Sequence, residues 1–292
     1  MSRPITTTTR NITLISSLAI CQLVCAQSAT VQVTDPRPVA QAVTRIEAIY
    51  GWPITYEDPI TVNESRLEDV TERVRRVPEA NHHVIVQKEV TLSFTYRLPS
   101  SLPSFGGESH QFQAETKEAV ADVLSSVLKG YAASRGPEAF KVWEEGGMFH
   151  VVPTNFLGKE GRLKELTPIL DTRITILPKQ RTRQDLLHEI CQSLTRATEV
   201  NVEAILPFSP RIMDAQTSIS GSGVTARSLL IQLLAELATQ IAEHTAVQGP
   251  DSEKAPQHMA VQGPTGSLSW RLLYGPGDGY ALNVHRVTLR AE

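Results

Sequence analysis

Few residues of this chain are of a type and spacing that could do chemistry. In "SISGSGVTARSLL" (218–230), Gly221, Gly223 and Ala226 spell G-x-G-x-x-A ahead of an apolar helical pattern. Such a loop can hold a dinucleotide's pyrophosphate at a helix N-terminus. It needs a buried strand leading in and an acidic residue about 20 positions on, at the end of the next strand. Here the lead-in "IMDAQTSIS" carries Asp214, Gln216 and hydroxyl residues where an apolar run is wanted, and the helical pattern runs on from 225 to 242. The expectation is a tight strand-to-helix turn capped by Thr225, and no dinucleotide cofactor.

The other candidates weaken in the same way. "LHEICQ" (187–192) departs from H-E-x-x-H at Gln192, so one of the two imidazoles that a zinc ion would need is missing. Cys191 stands near His188, but it falls on an apolar helical stripe and reads as a buried, inert thiol. His82 and His83 are adjacent, and neighbours on a strand point to opposite faces. Glu57-Asp58, Glu144-Glu145 and the Glu64/Glu68/Asp69 group have no spacing that argues for acid–base work. Tyr50, Trp52 and Tyr56 cluster where a helix passes into a strand; they are either core or a sugar-stacking platform, and are carried forward as ligand-binding candidates. No catalytic residue, metal site or cofactor is expected, and the chain reads as non-enzymatic.

The elements that would position these residues come after an export signal. Arg3 and Arg10 precede the apolar run "ITLISSLAICQLVCA", which is too short to span a membrane, and Val24-Cys25-Ala26 suits cleavage after Ala26, with Ala29 as a second option. Cleavage removes two of the three cysteines and leaves Cys191 alone, so no intrachain disulfide is expected. It also removes two of the 28 basic residues against 31 acids, which moves the net charge from −3 to −5. That balance disfavours nucleic acid or an anionic membrane surface as partner. No later apolar run reaches the roughly 20 residues of a spanning helix, so no integral membrane segment is expected after signal removal.

The remainder reads as two similar halves. Val39, Val43, Ile46, Ile49 and Ile54 fall 148 positions before Leu187, Cys191, Leu194, Ala197 and Val202, and all ten are apolar. Further on, Thr116, Val120, Leu124 and Leu128 fall 109 positions before Thr225, Leu229, Leu233 and Leu237, each set opening a helix on threonine. Each half closes on a tryptophan-bearing hairpin, 140–152 and 268–287. The expected fold class is α+β: two tandem small mixed-sheet units in the order β-α-β-β-α-β-β, each with two packed helices. The expected boundaries are a signal at 1–26, a first unit at 30–153 with an insertion at 59–89, a linker at 154–168, and a second unit at 169–292. The second unit carries a flexible loop at 244–267, where "AVQGP" occurs twice.

The segments "DLLHEICQSLTRATEVNVEAI", "SISGSGVTARSLLIQLLAEL" and "LSWRLLYGPGDGYALNVHRV" resemble the short N-terminal (STN) domain of secretins and TonB-dependent receptors. "PVAQAVTRIEAIYGWPITYEDP" resembles that domain's opening. The resemblance implies a periplasmic or secreted, non-enzymatic protein that docks an envelope protein partner in an assembly, accessory or interaction role. A binding module for envelope carbohydrate or peptidoglycan is the alternative, with a hydrolase of unrecognised type behind it.

Overall fold

The computed structural model describes residues 28–60, 67–69, 85–97, 109–135, 139–205, 210–247, 267–275 and 279–287. The expected signal, the His82-His83 pair, much of the 59–89 insertion and most of the 244–267 loop lie outside the described residues. The fold is mixed α+β.

The first half runs β1 (Ser28–Asp35), α1 (Pro38–Tyr50), β2 (Ile54–Glu57), β3 (Leu67–Asp69), β4 (Ile85–Gln87), β5 (Val90–Arg97), α2 (Ser109–Arg135), β6 (Phe140–Glu145) and β7 (Met148–Pro153). Pro38 opens α1, where a missing N–H costs nothing and the ring presets φ; Gly51 ends it in the left-handed region at φ 69°. α2 starts at Ser109, so Thr116 lies inside the helix and does not cap it. The segment expected as a plain linker holds a small hairpin, β8 (Asn155–Leu157) with β9 (Leu163–Glu165).

The second half runs β10 (Arg173–Ile176), β11 (Arg181–Thr182), α3 (Arg183–Thr198), β12 (Asn201–Ile205), β13 (Gln216–Thr217), β14 (Gly221–Thr225), α4 (Ala226–Val247), β15 (Leu268–Tyr274) and β16 (Gly279–Arg286). α3 begins where Thr182 Oγ1 accepts the Asp185 N–H at 3.0 Å, and it buries Leu186, Leu187, Ile190, Cys191 and Leu194. At about 1.5–3 kcal/mol for each large apolar side chain, that stripe outweighs the cap and holds the helix on the sheet.

The glycine loop has a different shape from the one expected. Gly221 and Gly223 belong to β14, which pairs antiparallel with β10 across a bulge between Ile174 and Ile176. Gly223 takes φ +64° there, a conformation that side chains rarely adopt. A dinucleotide loop follows a parallel strand, whereas these glycines are themselves part of an antiparallel one. The expected cap at Thr225 has the right geometry: its Oγ1 accepts the Ser228 N–H at 3.3 Å.

The strands of both halves meet in one six-stranded sheet of order β12-β16-β15-β2-β7-β6. Within it, β2 runs parallel to β7, which is antiparallel to β6; likewise β12 runs parallel to β16, which is antiparallel to β15. The halves join where β15 runs parallel to β2, Arg271 beside Tyr56 and Leu272 beside Glu57. Tyr56 belongs to the core cluster of α1 and α2, while Leu272 belongs to that of α3 and α4. Residues paired across a sheet share a face, so the two helix pairs pack on opposite faces. Outside this sheet, β1 with β5 and β10 with β14 form separate two-stranded ladders.

Candidate functional site

Strands β2 and β12 each follow a helix in the same way, yet among the described residues β2 has a strand on both sides and β12 on one. At β2 the enclosure is the seam with β15. The Asp58 N–H donates to Leu272 O at 2.8 Å, and the Ile54 N–H, which also points toward β15, donates to Glu47 Oε1 at 2.8 Å. Glu47 reaches down from α1 and pairs through Oε2 with Arg271 of β15, and His285 Nε2 lies 3.1 Å from the same oxygen. On the opposite face Arg227 of α4 reaches Glu57 at 2.5 Å and Asp171 at 2.8 Å, with its guanidinium 5.0 Å from the Trp143 ring centre. Arg37 donates to Asp58 at 2.5 Å and to Tyr274 O at 2.6 Å. Each half thus sends a helix residue over the seam to an opposite charge on the other half's strand.

Burial and charge compete at these carboxylates. Burial alone would raise Glu47, but Arg271, His285 and the Ile54 N–H together hold it below the ordinary value. Glu57 and Asp58 are raised: desolvation there outweighs Arg227 and Arg37 respectively. Fully buried His150 lies between Trp143 and Trp270, with Nδ1 2.7 Å from Thr55 Oγ1, and burial lowers its pKa to about 4.

At β12 no described strand fills the corresponding space. The Val202 N–H points away from β16 and donates to Thr195 Oγ1 at 3.0 Å. Thr195 and Val202 follow Glu47 and Ile54 by the same 148 positions, so the strand edge is capped from its helix in the same place. Beyond that cap lies a groove of about 580 Å³, walled by His188, Gln192, Thr195 and Arg196 of α3 and floored by Val202 and Ala204. By strand alternation Ala204 turns its N–H and C=O to the same side as Val202. Ile205, at the end of the strand, is 55% exposed.

No family model matches this chain, and no curated protein or solved structure matches it.

The residues singled out in the sequence do not converge. Tyr50 is packed in the first core with its hydroxyl donating to Arg97 O at 2.6 Å, and Tyr56 is buried and stacked on Phe140. Trp52 is half-buried, edge-on to Phe149. A stacking platform needs open ring faces, and Tyr50 and Tyr56 have none. Cys191 lines the floor of the groove but is buried, and desolvation raises its thiol to about 12. Sequence reasoning named Glu57-Asp58 without a role and missed Arg37, Arg227 and Arg271. In "LSWRLLY" the apolar residues Leu268, Trp270, Leu272 and Tyr274 share one strand face, while Arg271 lies between Ser269 and Leu273 on the other, a pattern that a solvent-facing side shows equally well, so its burial left no mark in the sequence.

Proposed function

We propose that this chain is an exported, non-enzymatic envelope protein that binds a protein partner through STN-like units, with the groove beside β12 as the docking site. The observation that carries the reading is the outer edge of β12, which no strand among the described residues covers. An extended segment lying there gains backbone hydrogen bonds from Ala204 and side-chain contacts from α3. The buried carboxylates Glu47, Glu57 and Asp58 are each committed to arginines inside the seam, which favours a binding role over acid–base chemistry. Cleavage after Ala26 or Ala29 and a periplasmic or secreted location belong to the same reading.

The test is photo-crosslinking in the cell, with the reactive residue at Gln192 or Glu203 and, as control, at Glu160 on the β8–β9 turn. The expected result is a protein adduct from the groove positions that is absent from the control. Equal labelling at all three positions, or none, overturns the docking site.

A further inference from the structure

We infer that the groove beside β12 takes a second copy of this chain, docked through the outer edge of β6. The inference rests on the docking reading above and names the partner. It comes from the sheet itself: among the described residues β12 and β6 are its two edge strands, and they are the counterparts of the two strands that close the seam inside the chain.

The correspondence can be followed residue by residue. β2 and β12 both follow a helix, run parallel to the next strand, and turn an amide outward to a helix side chain, Ile54 to Glu47 and Val202 to Thr195. β6 and β15 are both the first strand of the closing hairpin. Val151, beside Tyr56, pairs with Val142; Leu282, beside Ala204, pairs with Leu272. Val142 therefore holds on β6 the place of Leu272 on β15, and Lys141 holds the place of Arg271.

Backbone polarity agrees. The Thr154 N–H bonds to Ala139 O, which puts Lys141 in a bonded pair with β7 and turns the N–H and C=O of Val142 outward. Leu272 is likewise turned outward, and its C=O accepts the Asp58 N–H. The directions agree as well. β6 is antiparallel to β7, and β7, β2 and β15 run together; β16 and β12 run against them. β6 and β12 therefore point the same way, so a copy shifted sideways brings them together in parallel, as in the internal seam.

In the register of that seam Lys141 lies beside Ala204 of the next copy and Val142 beside its Ile205. The Val142 N–H then reaches Ala204 O, and the exposed Ile205 gains an apolar neighbour. Pairing β12 with a second β12 about a two-fold axis is disfavoured, because centring on the strand sets Glu203 against Glu203. The β6–β12 contact is head-to-tail and does not close, so copies add one after another. Thr195 stands where Glu47 meets Arg271, so this junction lacks the buried ion pair of the internal one and is the weaker of the two.

The test uses the full chain, expressed with its own N-terminus so that any processing takes place. Mass-resolved chromatography should show dimers and longer species growing with concentration. Ala204→Pro removes an outward N–H from β12, and Val142→Pro one from β6; circular dichroism checks that each variant folds. Each alone should weaken self-association at least ten-fold, and an equimolar mixture should form a 1:1 dimer and stop there. If a proline variant fails to fold, Val142→Cys and Ile205→Cys, mixed under mild oxidation, should give a linked dimer that neither gives alone. A chain that stays monomeric at all concentrations, or Ile205→Cys linking to itself, overturns the inference. A monomeric chain that still gives a foreign adduct from the groove leaves the docking reading standing; loss of both adduct and self-association removes both.

Discussion

Replacing Arg227 with methionine should cost the fold up to about 3 kcal/mol at pH 7 and less than 1 kcal/mol at pH 5, the part that the raised native Glu57 already bears being subtracted. Methionine keeps much of the arginine stem but strands Glu57, which is 1% exposed. A buried carboxylate without a partner takes up a proton sooner than it stays charged. Holding it neutral costs about 1.4 kcal/mol per pH unit above its ordinary value of 4.5, or about 3.4 kcal/mol at pH 7 and about 0.7 at pH 5. The sign follows from the folded-state pKa, which burial already raises above 4.5 in the native chain and which rises further without Arg227: relative to the native chain, stability is lost as pH climbs from the native folded-state value toward the variant's. Asp171 adds little, because its carboxylate is 27% exposed and keeps Lys141 at 3.5 Å. Urea denaturation of variant and native protein at both pH values measures the difference, with unchanged slopes as the check on two-state behaviour. The double variant Arg227→Met/Glu57→Leu should recover most of the loss, since an apolar pair of similar volume commonly equals a buried ion pair. A loss under 1 kcal/mol at pH 7, or the same loss at both pH values, refutes the reasoning.

Three further outcomes follow from local geometry. Gly146→Ala should destabilise by about 1–3 kcal/mol more than Gly147→Ala in thermal unfolding: both residues have positive φ, but only the first would drive its Cβ to 2.6 Å from Ile231 Cγ2. Cys191 should resist a disulfide reagent at pH 8 in the folded protein and react at once in denaturant, because burial raises its thiol to about 12. The His150 ring should stay neutral through an NMR titration down to about pH 5; with its folded-state pKa lowered to about 4 from 6.5, it favours the folded protein above 6.5, and that contribution is lost as pH falls toward 4.

Local periodicity explains what could be read in advance. The stripes Val39-Val43-Ile46 and Leu187-Cys191-Leu194 mark α1 and α3, and Ile54 and Val202 place the strands that follow, because each pattern is complete within its own segment. β14 was hidden for a physical reason. A strand in a two-stranded ladder with little burial carries no apolar run, so its glycines looked like a turn. The seam was hidden by distance: Arg271 reaches Ile54 O across 217 positions, and parallel pairing leaves no turn signal between the partners. The groove beside β12 is invisible in sequence for the same reason, since an open edge is defined by the strand that is not beside it.

The charges in the seam need an explanation other than stability, because apolar side chains of similar size would hold two strands at least as well. A chain with two strands of the β2 kind and two of the β15 kind has more than one way to pair them. Apolar seams would leave those pairings close in energy. Arg271 separates them: beside β2 it meets Glu47, but in the groove beside β12 it would face Thr195 and stay unpaired. Arg227 acts in the same sense from the other face, since Glu57 satisfies it and the corresponding position on β12 is Ile205. The ion pairs therefore select which edge is closed within the chain, and β12, where Thr195 and Ile205 stand in place of Glu47 and Glu57, is left at the edge of the described sheet.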